Sequence, residues 1–321
     1  MKWFGIAARI SLLGILLVFE SSALAQQDER YHGVSIAHGG ASEHLPFSSL
    51  LAFKAAIPMG ADYIETDVQL TRDGILICFH DLVLENSTNV EQLFPDRHTE
   101  ITREGKTVKT WYINDFTLDE IKTLDSGSWF APRYSNERIV TFQELIDLSI
   151  GKVGLYPESK NPDFYLARGL DIDLALHEIL VRNNLHTPEG QKDTPIVIQS
   201  FHESSLKRLR DLNGENYALL QLVWTGQSYD YLSDAGLRHI ASYADGVGPL
   251  LRMVLPPNQD RINAAHRNGL WLHIWHASEG FPAPGYSARS YMAYLMDGLK
   301  IDGVMNHVPD QFPQTAPGVS N

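Results

Sequence analysis

Short apolar runs alternate along the chain with longer stretches of helical period. The runs are "VSIAH", "DYIETDV", "ILICFH", "VGLYPE", "PIVIQSF", "YALLQLV", "DGVGPL" and "LWLHIW", with a further short one, "DGVMN", near the end. Runs of this length between turn residues read as buried strands. Between them, apolar spacing predicts helices over 46–58, 117–125, 141–149, 165–184, 203–212, 229–243, 257–268 and 288–299. The helix at Thr117 opens with "TLDE", a capping box. Alternation of this kind predicts a parallel sheet with helical crossovers. About eight such units make the fold class α/β, a (β/α)8 TIM barrel. A doubly wound open sheet is the alternative, but no G-x-G-x-x-G follows the first strand. There is one strand candidate too many for the barrel. Only "QLTRDG" separates "DYIETDV" from "ILICFH", which leaves no room for a helix. Residues 84–112 are polar and weakly periodic, and predict a small insertion after the third strand.

The first residues follow a different pattern. Lys2 and Arg9 flank the start of "ISLLGILLVF", which ends in "ESSALA". Ala23 and Ala25 make an A-x-A cleavage site, so residues 1–25 read as a signal peptide and 26–321 as the mature chain. A retained anchor is the alternative, but the run falls short of the roughly 20 apolar residues of a membrane span. The expectation is an exported protein, periplasmic or secreted, without stable membrane insertion. The net charge is −13. Such a chain lacks the cationic field that nucleic-acid backbones demand, so nucleic acid is excluded as a partner. An anionic ligand must instead be met by local cations or a metal. Cys78 is the only cysteine, so no intramolecular disulfide forms and stability rests on the core.

Strand side chains alternate between faces. His38 therefore shares a face with Val34 and Ile36, Glu65 and Asp67 with Tyr63, His80 with Leu76 and Cys78, and Glu158 with Tyr156. Each run ends in polar groups on one face of a packed strand. If those faces point inward, the five groups meet at the C-terminal rim, where barrel enzymes keep their sites. Three converging carboxylates repel one another unless a cation holds them, and oxygen ligands favour one hard divalent cation, Ca²⁺ or Mg²⁺. Two histidines beside them suit acid–base work, and the combination suits displacement at phosphorus. Taken singly, Glu65 and Asp67 also fit a solvated edge, His80 with Asp81 a strand-end pair, and Glu158 with Lys160 a surface ion pair.

The stretch from Ile36 to Asp81 resembles glycerophosphodiester phosphodiesterases. That family opens with His-Arg-Gly-Ala and continues GAD-x-x-E-x-D-V-x-L-T-x-D-G to a closing His-Asp. Here "GADYIETDVQLTRDG" and "ILICFHD" fit closely, and "YPESK", "IQSF" and "ADGVGP" resemble later segments of the periplasmic branch. The resemblance implies a metal-dependent barrel that cleaves glycerophosphodiesters, small-molecule substrates, to glycerol 3-phosphate and an alcohol. It implies His38 and His80 as the acid–base pair, Glu65, Asp67 and Glu158 as metal ligands, and Lys160 facing the phosphate. The chain departs from the family at two places. Gly39 stands where the family has arginine, and Phe47 where it has glutamate. The Gly39 and Gly40 amides offer a weak oxyanion nest in place of the guanidinium. His44, Arg72 and Arg252 are candidate replacements for its charge. Trp275, in "LHIWHASE", is read as packing on the glycerol or the leaving alcohol, or else as a capping core residue; Phe201 and His202 are similar. The aromatics of "WYINDF" and "GSWF" are read as closing the insertion over the barrel mouth.

Two rival functions stand beside the phosphodiesterase. A phospholipase-D-like lysolipid phosphodiesterase would need an exposed apolar lip. A non-catalytic phosphodiester-binding barrel would bind metal and ligand without turnover.

Overall fold

The computed structural model describes residues 29–275 and 281–313. The expected signal peptide and His276 lie outside the described residues.

The strands, in chain order, are β1 (Val34–His38), β2 (Tyr63–Leu70), β3 (Leu76–Cys78), β4 (Thr99–Arg103), β5 (Lys106–Thr110), β6 (Val140–Thr141), β7 (Gly154–Ser159), β8 (Val197–Ser200), β9 (Ala218–Val223), β10 (Gly246–Pro249), β11 (Trp271–Ile274) and β12 (Gly303–Asn306). Among the described residues, β1, β2 and β7 through β12 run parallel and close into a barrel, with β1 paired to both β12 and β2. Helices cross between most neighbouring staves, as the alternation predicted.

The surplus candidate is "ILICFH". After a turn through Gly74, β3 runs back antiparallel along β2, and β6 adds antiparallel to β3. A link as short as "QLTRDG" permits only a hairpin, because parallel neighbours need a crossover of a dozen or more residues. β3 ends at Cys78, so His80 follows the strand in a bend and does not continue its face. The segment between β2 and β7 carries its own core of Phe79, Leu84, Trp111, Phe116 and Ile139, with the β4–β5 hairpin rising from it.

The predicted helix 165–184 is two helices, Pro162–Leu166 and Ile172–Arg182. Asp171 caps the second by accepting from Leu174 N at 2.9 Å. The Thr117 capping box forms as expected, but its helix ends at Ile121.

Val34, Ile36, Tyr63, Tyr156, Leu220, Trp271 and Met305 fill the barrel. Burying each such side chain stabilises the fold by about 1.5–3 kcal/mol. Gly246 makes room for this layer, since a Cβ there would lie 2.2 Å from the Trp271 ring. His273 is fully buried among them. Its Nε2–H donates to the Tyr31 carbonyl at 2.8 Å and its Nδ1 accepts from the Tyr156 hydroxyl at 3.0 Å. Burial pushes its pKa down to about 4, so the ring is neutral. The outer face of the staves packs on the helices through a second apolar layer that includes Phe53, Ile64, Leu155 and Leu272. No helix among the described residues is long and apolar enough to cross a membrane.

Candidate active site

The parallel register sets the site. His38 lies beside Glu65 across β1 and β2, and Asp67 beside Glu158 across β2 and β7. Gln199 on β8 lies beside Glu158. Their side chains meet at the carboxyl ends of the staves, in a cleft of about 480 Å³. His38, Glu65, Asp67, His80, Glu158, Lys160 and Trp275 all line it.

Glu65, Asp67 and Glu158 are buried and offer carboxylate oxygens within 4.8 Å of one another. Glu65 Oε1 accepts from Gln199 Nε2 at 3.0 Å and Oε2 from the Gly39 amide at 3.1 Å. Lys160 Nζ donates to Asp67 Oδ1 at 2.9 Å and lies 3.7 Å from Glu158 Oε1. Asp67 Oδ2 and Gln199 Oε1 are buried acceptors without a donor. Buried acceptors of this kind are rarely left bare, and a cation satisfies them. An oxygen-only donor set with two unpartnered oxygens fits one hard divalent ion.

The charges agree. Burial, and then repulsion from Asp67 and Glu158, raises the Glu65 pKa well above the carboxylate range. Burial raises Glu158 as well. For Asp67, burial is outweighed by Lys160, His80 and His38, and its pKa falls. Burial works against the Lys160 ammonium, but Asp67 and Glu158 prevail and raise its pKa. With one ammonium beside them, the three buried carboxylates are disfavoured as a fully ionised set, and a divalent cation would let all three ionise together.

The two histidines are held differently. His80 Nδ1 lies 2.6 Å from Asp81 Oδ1, and Asn86 Nδ2 donates to the other Asp81 oxygen at 2.6 Å. The Asp81 hydrogen bond, partly opposed by burial, raises the His80 pKa. Gln69 Nε2 donates to the His80 carbonyl at 3.2 Å and fixes the loop. His38 Nδ1 lies 3.0 Å from His307 Nε2, and His38 Nε2 lies 3.8 Å from Glu65 Oε2. Burial lowers the His307 pKa and favours its neutral ring.

Gly39 and Gly40 both have positive φ, 62° and 81°. A Cβ on Gly39 would lie 2.4 Å from Phe47 Cε2, and one on Gly40 would lie 2.5 Å from the Ala52 backbone. Glycine is required twice, by conformation and by close approach. The amides are not an open nest. Gly39 N donates to Glu65 and Gly40 N to the Ala37 carbonyl, so Gly39 orients the Glu65 carboxylate and does not line the cleft. Phe47 occupies the space beside Gly39. Its ring meets His38 edge-on at 4.9 Å and His80 at 6.0 Å.

The three candidate replacement cations are engaged elsewhere. His44 pairs with Asp310, Arg72 with Glu120, and Arg252 bonds Thr225. Lys160 is the one lysine or arginine lining the cleft among the described residues. Trp275 fits both readings made of it: its indole N–H bonds the Gly248 carbonyl at 3.1 Å, and its ring forms part of the wall with Phe201. His202 does not line the cleft. Sequence reasoning missed Gln199 and His307. Gln199 sits inside an apolar strand run, a buried polar signal. His307 follows "DGVMN", a polar group just past a strand end, as with His38.

Comparison with known proteins decides the family. The profile of the glycerophosphoryl diester phosphodiesterase family matches residues 38–311. The chain belongs to the glycerophosphoryl diester phosphodiesterase family.

Within that family it is 30% identical over 295 residues to a glycerophosphodiester phosphodiesterase of Bacillus subtilis (strain 168), covering 89% of this chain and 87% of the relative. A glycerophosphodiester phosphodiesterase of Haemophilus influenzae is 30% identical over 272 residues, covering 71% of this chain and 72% of the relative. Among solved structures, an Oleispira antarctica phosphodiesterase in complex with the product sn-glycerol-3-phosphate superposes with a TM-score of 0.64 at 22% identity, covering 88% of this chain and 95% of that one. That likeness concerns the fold. The buried acidic cluster of this family member holds the same three carboxylates that the motif indicated.

Proposed function

We propose that this family member hydrolyses glycerophosphodiesters to glycerol 3-phosphate and an alcohol, with one divalent cation held by Glu65, Asp67 and Glu158. The observation that carries the reading is the buried carboxylate triad, with Asp67 Oδ2 unpartnered, facing two histidines across one cleft. A bound cation would supply Lewis-acid stabilisation of charge on the phosphoryl oxygens. Lys160 adds a second positive charge beside them. His80, held toward its protonated form by Asp81, gives a proton to the departing alkoxide. His38 takes the proton of the attacking hydroxyl at Nε2, with Nδ1–H directed to His307. The attacking hydroxyl belongs to water or to the glycerol's neighbouring carbon. In the second case a cyclic phosphate forms first and water opens it. Either route breaks the bond to the departing alcohol, consumes one water and ends at glycerol 3-phosphate.

The product decides the reading. Incubation of purified, cation-loaded protein with the ethyl ester of glycerol 3-phosphate is expected to release glycerol 3-phosphate and ethanol, resolved by chromatography. Release of glycerol and ethyl phosphate would show cleavage on the other side of phosphorus and overturn the assignment.

A further inference from the structure

The first cleft is not the only space the histidines face. A second cavity of about 390 Å³ also has His38 and His80 in its wall. These are the two residues that line both cavities. Glu65, Asp67, Glu158 and Lys160 line the first and not the second. The second is walled instead by Phe47, Phe79, Ile139 and Trp129. Trp129 is 50% exposed, and its indole N–H donates to the Ser126 carbonyl at 2.9 Å, which fixes the ring. Asp81 also lines this cavity, but its two oxygens are already engaged by His80 and Asn86.

A phosphodiester carries two arms on one phosphorus. In an in-line displacement the departing oxygen leaves opposite the attacking one. The phosphoryl group stays with the cationic groups of the first cleft. The departing arm then needs a space that touches the proton donor but offers no other cation to hold phosphate. The second cavity meets both conditions. Its one anionic group, Asp81, is already paired with the His80 ring and bonded by Asn86, so an ammonium group in this cavity would have to compete with His80 for it. Phe47 extends the apolar wall to the histidines themselves, in the space that Gly39 leaves.

We infer that this second cavity is the subsite for the departing alcohol, and that it takes an alcohol with an uncharged apolar or aromatic body. The inference rests on the phosphodiesterase reading above. It gives the segment between β2 and β7 a role in specificity, because Phe79, Trp129 and Ile139 all come from it.

Two substrates separate the subsite from the chemistry: the glycerol 3-phosphate esters of benzyl alcohol and of ethanol. Their leaving oxygens are similar in basicity, and they differ in the ring. In steady-state kinetics of the cation-loaded protein, Trp129→Ala is expected to lower kcat/KM for the benzyl ester by about tenfold or more, the usual scale for losing apolar pocket contacts. The ethyl ester should stay within about twofold, since Trp129 is exposed and outside the first cleft. Equal loss on both esters, or no loss on the benzyl ester, overturns the subsite. If wild type hydrolyses neither ester, the reaction assignment fails by itself. The intact benzyl ester then serves as the calorimetric probe. Binding about tenfold weaker or more in Trp129→Ala, with glycerol 3-phosphate binding unchanged, upholds the subsite on the same contact scale. Unchanged binding of the ester overturns it.

Discussion

His80→Ala is expected to lower kcat by about 10²–10⁴-fold, the usual worth of a positioned general acid. The fold should survive, because the His80 side chain is 57% exposed and lies in a bend beyond β3. Unchanged thermal unfolding beside the lost rate would locate the effect in the chemistry. Added imidazole should restore part of the rate, since the ring's place opens on two cavities. The pH dependence follows from the sign of the shift. The Asp81 hydrogen bond raises the His80 pKa above its ordinary 6.5, so the acid form persists to higher pH and the alkaline limb of kcat lies above that value. Asp81→Asn removes the carboxylate and should move that limb to lower pH. A limb that stays in place would contradict the assignment of His80 as the acid.

Gly39→Arg is expected to lower kcat/KM by about 10–10²-fold. An L side chain at φ 62° is strained, at a cost on the order of 1–3 kcal/mol. Its Cβ also enters the Phe47 ring, at 2.4 Å from Cε2. Displacing that ring removes the edge contacts that bound both histidines, and misplacement on the order of 1 Å costs about 10²-fold in rate. The Gly39 amide bond to Glu65 Oε2 shifts with it. Gly39→Arg combined with Phe47→Glu should recover part of the loss. The smaller side chain vacates the space, and its carboxylate gives the guanidinium a bidentate partner. A rise in kcat/KM from Gly39→Arg alone would mean that the cleft merely lacks a phosphate grip and was not rebuilt around Phe47.

The barrel was legible in the sequence because its staves are apolar runs separated by helical periods, and that alternation survives without knowledge of any contact. Strand direction was not legible. "ILICFH" reads like a buried stave, and only the six residues of "QLTRDG" mark it as the return arm of a hairpin. The carboxylates were legible because alternation along β2 and β7 places Glu65, Asp67 and Glu158 on one face, and register alone brings them together. His80 was found by position but for a mistaken reason, since it follows its strand. Contacts between distant segments were beyond periodicity. The His38–His307 bond joins residues 269 apart, and no local pattern encodes it. The Gly39 and Phe47 departures were visible one by one. That the missing side chain is the space for the ring required the turn geometry, in which Phe47 folds back over Gly39.

The central claim is that Glu65, Asp67 and Glu158 hold a divalent cation on which the reaction depends. It is tested most directly by removing and restoring that ion. Protein stripped with a chelator, and shown metal-free by elemental analysis, should release no glycerol 3-phosphate and unfold at a lower temperature. Added Ca²⁺ or Mg²⁺ should restore both, with a stability gain of about 2.7 kcal/mol at a hundredfold excess over Kd. Metal-free protein that turns over at the full rate would contradict the account.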